Sequence, residues 1–461
     1  MDLTKFLLRQ GGSSFRFFTL APRSKLKPSE QLMAAMLSRN SQAEQILSKQ
    51  TNETIIAFSK LVNDNELAGY VLESIYLLGL ESAFRSFSVE YDGALTDAFN
   101  LVSRQAALEA IKFEKFDKMF VKFLDSTASM QDRIVWLKGI VTSRTYCYGE
   151  PAQRLSSDFD CFLDRSFLAE LNSILLLNDF RVIANDNGFC NQLGVGPVGT
   201  LEDLFLVPDE ELVPSAVLGY FKNRSPILDI KFNPLDCGLK MIELERFERD
   251  AISVTWRGRQ FVAPGLIDQL IVSLTHLEKD RFIGWKQLLD IKLLAEKVNA
   301  EPENWKEFVR RCNVEGVRTA CCAGLSLAVD RLSLAGVDHV IAELDSDQSL
   351  LKRLFVFTVT PLFYWNTSSL PMLVANAVVS DNRSRKSKIL RRSFFPDRQF
   401  LSAYYSNGRP LTGLNLVSNL LLHWLVLLLP GGLVRRTFGP AIWDTAQVVP
   451  KESPVTPNPN V

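Results

Sequence analysis

The chain has 461 residues, enough for about two or three domains, and its 47% apolar fraction is ample for ordinary cores. Lys+Arg and Asp+Glu both total 52, and this zero net charge excludes a chain-wide electrostatic grip on nucleic acid, though not a local basic patch. Seven scattered cysteines without a Cys-x-x-Cys pair exclude a zinc ribbon or disulfide framework and fit a reducing cytoplasm.

Met1 to Arg9 carries an apolar run too short and too broken for a signal peptide. Ser13 to Arg23 reads as a loose lead-in. Ser29 is placed to cap a helix running through Met36, and Thr51-Asn52-Glu53 opens a second helix. Leu67 to Phe84 continues with apolar residues at three and four spacing until Gly93 breaks the pattern. Leu95 to Leu124 reads as one helix whose apolar stripe holds Phe99, Leu108, Ile111, Phe116, Phe120 and Phe123. Lys112, Lys115, Lys118 and Lys122 on it read as a solvated face rather than a phosphate grip.

Next comes the stretch that carries chemistry. Ile134 to Leu137 is a buried strand ending in Lys138-Gly139, where backbone or ligand must come close. A short helix fits after it, then a turn at Gly149-Glu150-Pro151 and Arg154. In Ser157 to Leu163 two aspartates alternate with apolar residues, so a strand places Asp158 and Asp160 on one side. For an isolated Asp-x-Asp an edge strand with one wet face is the better reading, and the surroundings shift the balance. A divalent cation would instead relieve the repulsion, and carboxylate oxygens suit Mg²⁺ or Mn²⁺. Ser166 to Asn178 reads as a helix, Phe180 to Ile183 as a strand. Pro226 to Phe232 is another strand, with Asp229 in its middle. Three aspartates on neighbouring strands can hold metal against a nucleoside triphosphate.

Asn185 to Glu211 is rich in Gly, Asn and Pro and reads as a loop, its Gly194-Val195-Gly196 lacking the strand–turn–helix context of a dinucleotide cradle. Ala251 to Val262 reads as a hairpin turning at Arg257-Gly258. Helices follow at Leu266–Glu278, Trp285–Val298, Asn304–Arg311 and Arg318–Leu334. Only three histidines occur; His276 reads as structural, with Asp290 placed to hold it or Lys286. Asp381 to Arg398 is a basic run containing Phe394 and Phe395. Leu414 to Leu429 is apolar but too short to span a bilayer, so it reads as a buried or interfacial helix. Peripheral contact with anionic lipid through 381–436 is one expectation. Thr445 to Val461 reads as a disordered tail.

Leu137-Lys138-Gly139, Tyr148-x-x-Pro151-x-x-Arg154-x-x-x-Asp158-x-Asp160 and the strand with Asp229 resemble the uncharacterised bacterial nucleotidyltransferase family of the polymerase-beta superfamily. Gly258, Pro264, His276, Trp285-Lys286-x-Leu288-x-Asp290-Ile291 and Leu390-Arg391-Arg392-x-Phe394-Phe395-Pro396 with Tyr404 are similar to its later segments. The likeness runs from about Ile134 to Tyr405. The wider superfamily usually has Gly-Ser at this turn, whereas Lys138-Gly139 has the Lys-Gly form usual in this subgroup. Lys231 stands where the family commonly places a histidine two residues after its third acid.

The resemblance implies an α+β fold: a polymerase-beta-like nucleotidyltransferase sheet flanked by N- and C-terminal helical domains. The expected boundaries are 1–128 helical, 129–263 catalytic, 264–345 helical bundle, 346–444 helical tail and 445–461 disordered. It further implies a cytoplasmic enzyme, with or without contact at the inner membrane. This enzyme would move a nucleoside monophosphate from an NTP, ATP foremost, to a hydroxyl on a sugar, peptide or small molecule. Family members accompany exopolysaccharide or modified-peptide biosynthesis. Asp158, Asp160 and Asp229 would hold the metal, and Lys138, Gly139 and Arg154 the triphosphate. No specific nucleic-acid partner is expected. A phosphotransferase using the same site and a catalytically silent scaffold stay open as alternatives.

Overall fold

A computed structural model describes residues 26–91, 94–156, 158–178, 181–183, 217–221, 227–235, 241–279, 284–345, 381, 387, 391, 394, 395, 398, 401 and 413–428. The expected Gly-rich loop, most of the 346–444 tail and the C-terminal tail lie outside these residues.

Among the described residues five helices come first: α1 (Pro28–Leu37), α2 (Ala43–Leu47), α3 (Asn52–Asp64), α4 (Ala68–Leu77) and α5 (Glu81–Arg85). Ser29 does not cap α1. It lies inside the helix, and the Glu30 carboxylate instead accepts from the Lys27 N–H at 2.9 Å. Thr51 caps α3 as expected, its side chain accepting from Thr54 N–H.

The long helix is shorter at its start than the periodicity implies. Strands β1 (Ser88–Tyr91) and β2 (Ala94–Asp97) form an antiparallel hairpin, and α6 runs over Ala98–Ser126 behind an Asp97 cap. Leu95, Leu108 and Ile111 are exposed rather than part of the stripe. The buried face is built from Phe99, Leu101, Val102, Phe113, Phe116, Phe120 and Phe123. Lys112, Lys115, Lys118 and Lys122 face solvent.

Among the described residues the sheet has seven strands: β3 (Ile134–Trp136), β4 (Asp158–Leu163), β5 (Arg181–Ile183), β6 (Val217–Phe221), β7 (Ile227–Lys231), β8 (Ile252–Trp256) and β9 (Arg259–Ala263), in the order β5-β6-β7-β4-β3-β9-β8. β4–β7 and β3–β9 are parallel and the other pairs antiparallel. This mixed sheet among helices is the expected α+β architecture. The β8–β9 hairpin turns at Arg257-Gly258, where Gly258 takes φ +76°, open to glycine without steric cost.

Strand alternation splits the sheet's side chains between two cores. One face carries Trp136, Phe159, Cys161, Leu228, Ile230 and Phe261, covered by α7 (Leu168–Leu177) and the C-terminal half of α6. Phe120 and Phe123 meet Trp136 edge-on, with centroids 4.9 and 5.1 Å apart. The opposite core contains Val135, Leu137 and Phe162 and continues into α1 to α5, α8 (Leu244–Arg249), α9 (Leu266–Lys279), α10 (Trp285–Val298), α11 (Glu303–Glu315), α12 (Arg318–Leu332) and α13 (Asp338–Asp345). The carboxylates project on this second side, because Asp158 and Asp160 alternate with Phe159 and Cys161.

Candidate functional site

Register brings the acids together. On the parallel pair β4–β7, Asp160 is the Cα partner of Asp229, and Asp158 lies two residues before Asp160 on the same face. Asp160 is buried and the other two are half-buried. Sequence spacing gives the Asp158–Asp160 relation, but only strand pairing supplies Asp229, 69 positions beyond its partner.

Two ammonium groups reach Asp160. Lys138 Nζ donates to Asp160 Oδ1 at 2.8 Å, and Lys231 Nζ lies 3.7 Å from the same oxygen. Burial raises the affinity of Asp160 for a proton, but these lysines outweigh it and hold the carboxyl below its ordinary range. Asp158 and Asp229 shift the other way, raised by burial and then by repulsion from Asp160. His276 on α9 is half-buried, and its field favours the ionised forms of Asp158 and Asp160.

Lys138 ends the strand in an unusual conformation. Its φ of 56° and ψ of −130° lie in a region that side chains rarely adopt, at a cost of about 1–3 kcal/mol. Surrounding bonds hold it there. Leu137 N–H donates to the Asp160 carbonyl at 2.9 Å. The Lys138 carbonyl accepts from Thr142 N–H and Thr142 Oγ1, both at 2.8 Å, and from Gln269 Nε2 at 3.3 Å. Thr142 and Gln269 escape a sequence reading, because they act through backbone and lie on separate elements.

Gly139 follows in a single helical turn, Gly139–Val141, continued by a wider turn over Thr142–Tyr146. A Cβ here would lie 2.3 Å from Ser156 Oγ and 3.0 Å from an Arg154 guanidinium nitrogen. Close approach therefore requires glycine. Arg144 of the wider turn is buried. It donates to Asp117 Oδ1 of α6 at 2.7 Å, and Trp256 Nε1 donates to the same oxygen at 2.8 Å.

Arg154 lies over Gly139 but is held from behind. Its Nη2 donates to Asp290 Oδ2 at 2.8 Å and its Nε to Asp290 Oδ1 at 3.0 Å, while Tyr148 Oη donates to Asp290 Oδ1 at 2.8 Å. Burial would lower the Arg154 pKa; the Asp290 carboxylate outweighs it and raises it. Asp290 thus holds Arg154 and Tyr148. Lys286 Nζ donates to Glu66 at 2.7 Å and to the Leu155 carbonyl at 3.2 Å. The segment 148–156 that feeds β4 is fastened to α10 and, through Lys286, to the N-terminal helices.

Carboxylate oxygens are the ligand type that a hard divalent cation takes. Among the described residues, however, no three His, Cys, Asp or Glu side chains are grouped as a metal-holding set. Lysines are the cations that meet Asp160.

Residues 125–333 match the model of a family described as an uncharacterised nucleotidyltransferase. The match opens at the end of α6, closes just beyond α12 and does not include Leu390 to Tyr404. No curated protein and no solved structure matches the chain.

Proposed function

We propose, from the match of residues 125–333 to the uncharacterised nucleotidyltransferase family, that the carboxylate face of this chain transfers a nucleoside monophosphate from an NTP to a hydroxyl acceptor. The observation that carries this reading is the in-register pairing of Asp160 with Asp229, with Asp158 beside them and the Lys138-Gly139 turn at their edge. Asp158, Asp160 and Asp229 would hold Mg²⁺ or Mn²⁺, and such an ion would neutralise phosphate charge when bound.

The remaining roles fall to the chain itself. Lys138 and Gly139 contact the β- and γ-phosphates, Lys138 as a mobile point charge and Gly139 by leaving its backbone open to close approach. Arg154, fixed by Asp290, offsets charge on the triphosphate from the far side of Gly139. The acceptor oxygen forms a bond to the α-phosphorus, the bridging P–O bond to the β-phosphate breaks, and pyrophosphate leaves. Asp229, whose proton affinity is raised by burial and by the other two acids, accepts the hydroxyl proton. The acceptor belongs to a sugar, a peptide or a small molecule, and ATP is the first donor to try.

A second reading, a silent nucleotidyltransferase fold acting as a scaffold, is favoured by the lysine pairing of Asp160. One thermal-shift experiment separates the two. ATP, CTP, GTP and UTP are screened with and without Mg²⁺ or Mn²⁺ on the wild type and on Asp158→Ala/Asp160→Ala. A nucleotide at a hundred times its Kd stabilises by about 2.7 kcal/mol, only with metal and only in the wild type. An unmoved melting temperature under every condition supports the scaffold. With doubly labelled ATP, the label retained on the acceptor separates nucleotidyl from phosphoryl transfer.

A further inference from the structure

The last described helix, α14 (Leu414–Leu428), is turned opposite to a soluble helix. It buries a histidine and exposes aliphatics. His423 is 5% exposed, whereas Leu414, Val417, Leu421 and Leu425 are 87, 55, 56 and 46% exposed. These four recur at spacings of three, four and four, so they line one stripe. A contiguous exposed apolar stripe marks a binding face.

Its neighbours indicate what the face meets. Trp424 Nε1 donates to the Phe394 carbonyl at 2.6 Å, and the Phe395 ring packs edge-on against Trp424, centroids 5.8 Å apart. Phe395 is 61% exposed and lies one helical turn after exposed Arg391, whose carbonyl accepts from the Phe395 N–H at 2.8 Å. Arg398 is exposed as well. Residues 383–398 contain seven Lys and Arg against one acid, Asp397. Aromatic rings beside cations, next to an aliphatic stripe, match the headgroup boundary of an anionic bilayer. A helix of 15 residues is about 22 Å long, short of the roughly 30 Å hydrocarbon core. No helix among the described residues is long and apolar enough to cross a membrane.

We infer that α14, with Arg391, Phe395 and Arg398 beside it, forms a docking face for an anionic lipid surface, with Leu414, Val417, Leu421 and Leu425 entering the acyl boundary and Arg391 and Arg398 meeting headgroups.

The test is co-sedimentation of the full chain with phosphatidylcholine vesicles, with and without phosphatidylglycerol. The wild type sediments with the anionic vesicles, less so in high salt, and stays in solution with neutral ones. Leu421→Asp/Leu425→Asp lowers the vesicle-bound fraction by about tenfold or more, and Arg391→Glu/Arg398→Glu lowers it too. Leu414→Asp, at the most exposed of the four positions, gives the same direction if the double variant fails to fold. Three results overturn the inference: no sedimentation with anionic vesicles, equal sedimentation with neutral ones, or aspartate variants that bind like the wild type. A wild-type dimer that these variants convert to monomer, without vesicle binding, overturns it and assigns the face to a second copy of the chain.

Discussion

Arg154 and Asp290 meet in a bidentate ion pair across 136 positions of sequence, Nη2 to Oδ2 at 2.8 Å and Nε to Oδ1 at 3.0 Å. Their side chains are 7% and 6% exposed, so each would be a buried charge without the other. The pair ties the strand that bears the acids to a helix outside the sheet.

Breaking one side of that pair is expected to be costly. Asp290→Ala leaves the Arg154 charge and the Tyr148 hydroxyl without their acceptor and destabilises the fold by about 3–5 kcal/mol. Arg154→Met/Asp290→Leu loses much less, since no charge is then stranded. Urea unfolding of the two variants gives the comparison. An Asp290→Ala protein as stable as the wild type would refute the anchoring role.

Lys138 combines a strained backbone with a working ammonium group, and two substitutions separate them. Lys138→Ala and Lys138→Gly both remove the contact with Asp160 and both weaken nucleotide binding. Only alanine keeps a Cβ at φ 56°. The glycine variant is therefore more stable than the alanine variant by about 1 kcal/mol. Paired thermal melts, with nucleotide titrations on each, read the two effects independently.

Glu109 provides a pH dependence outside the site. This α6 carboxylate is 4% exposed and accepts from the Ala68 and Gly69 N–H groups at 3.1 and 3.2 Å. Burial pushes its pKa up from 4.5 to about 7, the two hydrogen bonds pulling only partly back. Between those values the folded state holds a proton that the unfolded chain has released. The stabilisation is complete below the unfolded value and is lost as pH rises through about 7. The ceiling is roughly 3 kcal/mol. Glu109→Gln flattens the slope between these limits, as urea titrations at several pH values would show. An unchanged slope would remove Glu109 as its source.

Local order in this site is readable from sequence, as is the third acid Asp229 on its own strand, whereas the partners of Arg154 are not. The spacing of Asp158 and Asp160, the Lys138-Gly139 strand end, the Trp285–Val298 helix and the Arg257-Gly258 turn all follow from short patterns, because period and turn chemistry are local. The pairing of Asp290 with Arg154 is not legible, because partner choice is decided by how α10 packs on the segment before β4. The β1–β2 hairpin escaped because each strand has only four residues and Leu95 fits a helical stripe as well as a strand. Ser156 is invisible from sequence, since its importance comes from the 2.3 Å that a Cβ on Gly139 would leave it.

The second core has a consequence for the order of events during synthesis. Leu32, Phe58 and Ile75 share one continuous cluster with Leu289, Cys321 and Leu332, and α1 packs on α12. As the chain leaves the ribosome, the first five helices emerge long before the helices that complete their packing. They stay unfinished while the whole sheet is made, and their apolar faces need shielding throughout that interval. Closure of that core late in translation depends on the arrival of residues beyond the sheet. A nascent chain halted at residue 263 would leave the N-terminal helices as a target for chaperones and proteases rather than as an independent fold.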